Sequence, residues 1–294
     1  MKVSRLDGNP IIRPHMDDRM GDNINGPSLI RVPGWVRNPL GRYYLYFAHH
    51  QGTYIRLAFA DSLEGPWRIH SPGVLDLEDS FFDAHIASPD VHVLDDRREI
   101  RMYYHGCSLP EWSNQVTRVA ASPDGIDFTA YPEILGSCYW RVFQWREHYY
   151  TLEMPGKFRR SPTGVSDFEE GPTLFTADMR HSAVQTGRDT LKVYYSNAND
   201  RPERILFATV GLGADWHDWK ATEPIDLLSP ETGYEGADCP VEASQRGSVH
   251  YPVHQLRDPC IFEDSGRTYL LYSVAGERGI AIGELLESSP VLAR

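Results

Sequence analysis

The stretch Leu256-Arg257-Asp258-Pro259-Cys260-Ile261-Phe262 runs through Ser265-Gly266-Arg267 into Thr268-Tyr269-Leu270-Leu271-Tyr272. An acidic residue stands against a proline at the mouth of a short apolar strand. A glycine-containing turn follows, then a second strand of aromatic and aliphatic residues. This is the pattern of a β-hairpin with a polar doorstep. The chain writes versions of it four more times.

The first unit opens at Asn25-Gly26-Pro27-Ser28 and returns as Tyr43-Tyr44-Leu45-Tyr46-Phe47. The second opens at Ala87-Ser88-Pro89-Asp90-Val91 and returns through Met102-Tyr103-Tyr104. Tyr139-Trp140-Arg141-Val142-Phe143 begins the third, and His181-Ser182-Ala183-Val184 the fourth. Turns such as Ser122-Pro123-Asp124-Gly125 and Ser161-Pro162-Thr163-Gly164 separate later strands within units and carry turn chemistry. Five sequential antiparallel units predict an all-β fold, a five-bladed β-propeller forming one domain over residues 1–294. Its blades open near residues 25, 87, 139, 181 and 257. A β-sandwich also uses short strands, but it does not explain five similar openings. The fifth unit ends too soon for a full blade. An N-terminal strand near Asn9-Pro10-Ile11-Ile12-Arg13-Pro14 is therefore expected to complete the last blade and close the ring. The stretch from Asp215 to Gln255 is longer than a blade connection needs, as functional insertions often are.

Composition agrees. Aromatic residues make up 12% of the chain, and 24 Gly with 21 Pro suit short strands joined by tight turns. The formal net charge of −12 and the absence of a Lys/Arg run argue against a nucleic-acid partner. On bulk charge, a neutral or cationic ligand is easier to accommodate than a polyanion. No apolar run approaches the ~20 residues of a membrane helix. Met1-Lys2-Val3-Ser4-Arg5-Leu6-Asp7 lacks a signal-peptide core, and Cys107, Cys138, Cys239 and Cys260 form no close pair. A cytoplasmic protein with reduced thiols and no membrane partner is the expectation. The oligomeric state is not legible.

In a propeller the first residues of the innermost strands crowd together at one end of the channel, and the second strands end at the same face. This geometry gathers Asn25, Asp90, Tyr139, Arg141, His181, Arg257 and Asp258 from strand openings, with His49, His50, His105, Glu153 and Asn197 from strand ends. His85, just ahead of the second opening, joins them. Asp90, Asp258, Glu153 and His181 are the candidate catalytic groups. Asn25, His50, His85, His105, Tyr139, Arg141 and Arg257 are candidate substrate-binding groups. Each has a plainer reading: an Asp beside a proline caps turns, a strand-end His is often a satisfied imidazole, and Glu153 also fits a rim charge. No metal site and no required cofactor are expected.

The architecture resembles the five-bladed propeller glycosidases, especially glycoside hydrolase family 43 and the related families 32, 68 and 130. Asn9-Pro10-Ile11-Ile12-Arg13-Pro14 resembles their N-terminal entry, Ala87-Ser88-Pro89-Asp90-Val91 their second-blade opening, and Leu256-Arg257-Asp258-Pro259 the Arg-Asp-Pro signature of families 32 and 68. Family 43 members are inverting enzymes with carboxylates opening blades one, three and four. The matching positions here are Gly26, Tyr139 and Met179-Arg180-His181, so that triad does not carry over. The resemblance implies a carbohydrate substrate and leaves room for a structural calcium in the channel. It implies acid–base hydrolysis of a glycosidic bond in a short oligosaccharide or glycoside, with a pit that admits a chain end. Asp22 and Glu235 are reserve carboxylates, and Tyr139, Trp140 and Trp112 are candidates to stack on sugar faces. Two other readings stand beside hydrolysis: a catalytically silent carbohydrate-binding propeller, and a polysaccharide lyase or sugar-modifying enzyme using His and Tyr.

Overall fold

The structure, a computed structural model, describes residues 1–110 and 113–287. Five antiparallel sheets follow one another along the chain. Their innermost strands are Asn25–Arg31, His85–Leu94, Arg141–Trp145, Met179–Thr186 and Arg257–Asp264. Each is followed outward by its hairpin partner and then by later strands. This is the five-bladed β-propeller. The ring closes as expected in kind, but with a different segment. Lys2–Arg5 is the outer strand of the last blade and pairs antiparallel with Ile280–Leu286, Lys2 opposite Leu286 and Arg5 opposite Gly283. Asn9–Pro14 runs alongside without forming a ladder. The Asn9 amide donates to the Ile282 carbonyl at 2.8 Å and accepts from its N–H at 2.9 Å, and Ile12 bridges Ile280. Pro10 and Pro14 lack the N–H a continuous ladder requires, whereas Lys2-Val3-Ser4-Arg5 is free of proline.

The prolines of the blade openings have a structural reason. Each innermost strand pairs on one side only, and its other edge faces the channel. Proline is tolerated on such an edge, particularly at a bulge. Register shifts occur between Asn25 and Ser28, Ala87 and Asp90, and Arg257 and Cys260. The residue before each proline sits in the left-handed region: Gly26 at φ 61°, Ser88 at 46° and Asp258 at 47°. Tyr139, at φ 58°, takes the corresponding place ahead of blade 3. At Ser88 and Asp258 the bulge re-aims a side chain.

The core is divided among the seams between blades. Tyr43, Leu45 and Phe47 pack with Phe262, Leu271 and Ile282 between blades 1 and 5. Tyr44, Tyr46 and Leu57 meet Val91, Met102 and Tyr104 between blades 1 and 2. Phe143, Tyr150 and Phe158 of blade 3 pack with Val193, Trp216 and Trp219, and Tyr194 of blade 4 packs with Tyr272 of blade 5. Burying each such side chain contributes about 1.5–3 kcal/mol. The smallest apolar seam, between blades 2 and 3, holds Tyr103, Val119, Leu135, Trp140 and Val142.

Candidate active site

A pit opens at the end of the channel where the innermost strands begin. Its cavity volume is about 200 Å3, below the usual range of small-ligand sites. Tyr139 and His181 come from blade openings, and His50 and Met154 from the ends of second strands. Arg246 and Gly247 come from the long insertion, which thus lies over the site.

Two imidazoles that line the pit are each fixed by a buried carboxylate. His181 Nδ1 contacts Asp258 Oδ1 in a very short pair. Asp258 Oδ2 accepts from the Ser273 hydroxyl at 3.0 Å. Burial pushes the Asp258 carboxyl up, but His181, Arg180 and Arg257 outweigh it and hold it well below the usual carboxylate range. Burial also keeps His181 below its ordinary value, against the pull of Asp258, so the ring is neutral near pH 7. Nδ1 meets the carboxylate as a close ion-pair contact without hydrogen-bond geometry, and Nε2 is the ring nitrogen left for proton exchange. The second pair is His50 and Glu277, Nδ1 to Oε1 at 3.0 Å. Burial raises Glu277, but His50 and Arg257 prevail and set it at about 2. Asn23 braces this pair, accepting from the His50 backbone N–H at 2.8 Å and donating to Glu277 Oε2 at 2.5 Å.

Behind the pit runs a buried ionic wall. Arg257 reaches Glu277 at 3.0 Å and Glu203 at 3.3 Å, and Arg180 reaches Glu203 at 3.2 Å. Both guanidiniums also donate to the insertion: Arg257 to the Gly247 carbonyl at 3.1 Å, Arg180 to that of Gln245 at 3.0 Å. The same wall therefore orients the dyad carboxylates and pins the segment that roofs the pit. Along one side, Tyr139 packs between His181 and His105, with ring centroids 4.4 and 4.2 Å away, and His105 meets His85 at 5.8 Å. Burial lowers His85 to about 4, drives His105 well below its ordinary value, and raises the Tyr139 phenol, which stays protonated.

The structure thus brings together Asp258, His181, His50, His85, His105, Tyr139 and Arg257. It places Asp90, Arg141 and Glu153 elsewhere. Asp90 lines a separate cavity within the channel, with Arg141 and His92. Its Oδ2 accepts from the Val142 N–H at 2.7 Å and faces His92 Nε2 at 2.8 Å, so it stitches blade 2 to blade 3. Arg141 donates to the Pro89 carbonyl at 3.3 Å across the same seam. Glu153 ends its strand but turns into its own blade, where Oε2 accepts from Ser137 N, Trp140 Nε1 and Arg159 Nε at 3.1, 3.0 and 2.9 Å. Trp140 is buried in the seam between blades 2 and 3. Asn25 is buried, with Oδ1 lacking a hydrogen-bond partner. Asp22 pairs with Arg278, and Glu235 accepts from Arg5 and Tyr272 on the outer side of the last blade. Trp112 lies outside the described residues.

Glu277, Glu203, Arg180 and Arg246 are site residues that the repeat pattern did not single out. Glu277 had a usable signal. It follows the second strand of blade 5, which ends at Ser273, just as His49-His50 follows that of blade 1. Among the described residues no group of three or more His, Cys, Asp or Glu side chains is arranged to hold a metal ion. All four cysteines are unpaired, and burial pushes the Cys138 thiol at the pit up to about 12. No helix among the described residues is long and apolar enough to cross a membrane.

This is the fold of the five-bladed propeller glycosidases. A β-xylosidase/α-arabinofuranosidase of glycoside hydrolase family 43 from a compost microbial metagenome superposes with a TM-score of 0.64 at 14% identity, covering 98% of this chain and 96% of that one. A structure from family 130, described as mannoside phosphorylases that include glycoside hydrolases targeting β-1,2-mannosidic linkages in Candida mannan, superposes at 0.70 with 12% identity, covering 99% and 96%. An α-L-arabinofuranosidase from Lactobacillus brevis gives 0.62 at 13% identity, over 96% and 93%. At such identities the likeness is one of fold. No protein-family model matches the sequence. The chain belongs to the family of uncharacterized protein R118 of Acanthamoeba polyphaga mimivirus, to which it is 36% identical over 316 aligned residues, covering 95% of this chain and 89% of that protein.

Proposed function

We propose that the protein is a carbohydrate-active enzyme that hydrolyses a glycosidic bond at the end of a short oligosaccharide or glycoside. One observation carries this reading: two imidazoles line the pit of a glycosidase-type propeller, each with Nδ1 held by a buried carboxylate. A carboxylate behind Nδ1 fixes the ring and leaves Nε2 for proton transfer, the logic of a general acid–base dyad. His181, neutral in the folded protein, takes a proton from water as that water attacks the anomeric carbon. His50, oriented by Glu277, gives a proton to the leaving oxygen. The bond to that oxygen breaks, the hydroxyl stays on the sugar, and both imidazoles re-equilibrate with solvent. Tyr139, a protonated phenol between His105 and His181, supplies a hydrogen bond to a sugar hydroxyl.

The imidazole dyads also favour a second reading. On a uronide, the same base removes the proton next to the ring carboxylate and the same acid protonates the leaving oxygen, which is β-elimination. Product analysis separates the two. A screen of aryl glycosides and short oligosaccharides, including arabinofuranosides, xylosides and β-1,2-mannosides, should yield a saturated reducing sugar. An unsaturated, ultraviolet-absorbing product shifts the assignment to a lyase. Sugar binding without turnover on any member of the screen overturns the catalytic reading and leaves a carbohydrate-binding propeller.

A further inference from the structure

The lining of the pit is unlike the chain as a whole. The net charge is −12, yet the described residues lining the pit include no carboxylate and do include Arg180, Arg246, His50 and His181. The carboxylates that touch these groups, Asp258, Glu277 and Glu203, lie behind them, almost wholly buried. A ligand in the pit therefore meets the guanidiniums before any of these carboxylates.

Arg246 differs from the other basic groups. Arg180 pairs with Glu203, and the His181 and His50 rings each face a buried carboxylate. Arg246 forms no ion pair among the described residues. Its Nη1 contacts the Met154 sulfur at 3.3 Å, and its Nη2 donates to the carbonyls of Ala177 and Met179. Carbonyls and a thioether hold the guanidinium in place without cancelling its charge. A positioned, exposed guanidinium with no carboxylate partner is suited to an incoming oxyanion, and planar donors match a carboxylate well.

We propose that the pit selects an anionic sugar, a uronic acid residue, whose ring carboxylate is bound by Arg246 at the rim while the glycosidic oxygen sits at the His181–His50 dyads. The proposal deepens the reading of this pit as a carbohydrate site. It reverses the ligand preference inferred from bulk charge, because the field inside a cleft is set by its lining and not by the sum over the chain. The carboxylate-free lining and the unpaired Arg246 guanidinium describe the same ligand: a sugar ring with a negative charge on its exocyclic carbon.

The test is calorimetric and needs no turnover. Glucuronic and galacturonic acids, with their methyl glycosides, are titrated into the full chain beside glucose and galactose. The uronic acids should bind about tenfold or more tightly than their neutral counterparts, the worth of one charge-assisted hydrogen bond. The preference should weaken as salt rises. Arg246→Gln should reduce the uronate-to-neutral affinity ratio about tenfold, and Arg246→Lys should restore part of it, with circular dichroism and melting temperature verifying the fold. Equal affinities for the two sugar classes, or a ratio that Arg246→Gln leaves unchanged, overturn the proposal. These outcomes separate from the catalytic reading. Neutral glycosides turned over without uronate preference would retain the enzyme and remove the anionic substrate. Uronate binding that depends on Arg246 without any turnover would do the reverse.

Discussion

Asp258 and Asp90 look alike in sequence, and the fold gives them different work. Both are acidic residues beside a proline in an innermost strand, both are buried, and both touch a histidine. Asp258 precedes its proline and occupies the bulge at φ 47°. There it meets His181 of the neighbouring blade at the floor of the pit. Asp90 follows its proline, two residues beyond Ser88, which holds the corresponding place in the bulge. It faces the channel and the backbone of blade 3. Which side of the proline carries the acid decides whether it orients an imidazole or joins two blades. The seam that Asp90 stitches is also the one with the smallest apolar core, so a polar tie supplements a short hydrophobic contact there.

Substituting the two aspartates is the sharpest way to break this comparison. Asp258→Asn should lower kcat by about 10³–10⁴-fold, the scale on which replacing a dyad-orienting carboxylate acts. The fold should survive, because the amide still accepts from Ser273. Asp90→Asn should leave kcat within a few-fold. It should lower the melting temperature by roughly 2–10 °C, from about 1–3 kcal/mol of lost charged hydrogen bonding. An equal loss of activity in both variants would erase the distinction. Glu277→Gln comes next. If His50 is the acid, kcat falls about 10²–10³-fold while KM changes little. If Glu277 only braces the wall, the variant lowers stability and leaves the pH profile intact.

The blades were legible because short aromatic strands alternate with turn residues, and a repeat enforces its own register. The bulges were not read from the sequence, although Gly26-Pro27, Ser88-Pro89 and Asp258-Pro259 mark them once the prolines are aligned instead of the acids. The closing strand was displaced to Lys2–Arg5 because the N-terminal prolines remove ladder donors. Glu153 shows where strand-end reasoning stops. The position brings it to the pit face, but its rotamer turns to three donors inside its own blade. The ionic wall was hidden for a different reason. Arg180–Glu203 and Arg257–Glu277 each close within one blade, 23 and 20 residues apart, and Arg257–Glu203 joins the two neighbouring blades, beyond the span of a hairpin pattern.

The pit should also dominate the pH dependence of stability. His85, His105 and His181 have folded-state pKa values below their unfolded values, His85 at about 4 against roughly 6.5 unfolded. Between these limits the unfolded chain binds protons the folded protein refuses, so stability falls as pH drops below about 6.5. Glu277, at about 2 in the folded protein against roughly 4.3 unfolded, adds stability above pH ~4.3 that is lost as pH falls toward 2. Asp258 acts in the same direction. Melting temperature measured from pH 7 to pH 4 should decline steadily. His105→Asn should flatten that decline, whatever it does to stability at pH 7. An unchanged slope would mean that the stacked imidazoles remain accessible to protons.

The smallest effect belongs to Glu153. Its Oε2 gathers donors from Ser137, Trp140 and Arg159 within blade 3, and Arg159 keeps a second partner in Glu170 at 2.7 Å. Glu153→Gln preserves one acceptor oxygen, and its amide nitrogen must then avoid the same donors. The expected cost is about 1–3 kcal/mol of stability, read as a lower denaturant midpoint at constant m value. Activity should be unchanged, because its carboxylate is turned away from both imidazole dyads. A drop in kcat without a drop in stability would bring Glu153 back into the chemistry. It would also show that the difference between the pit and the blade interiors is less sharp than the two aspartates suggest.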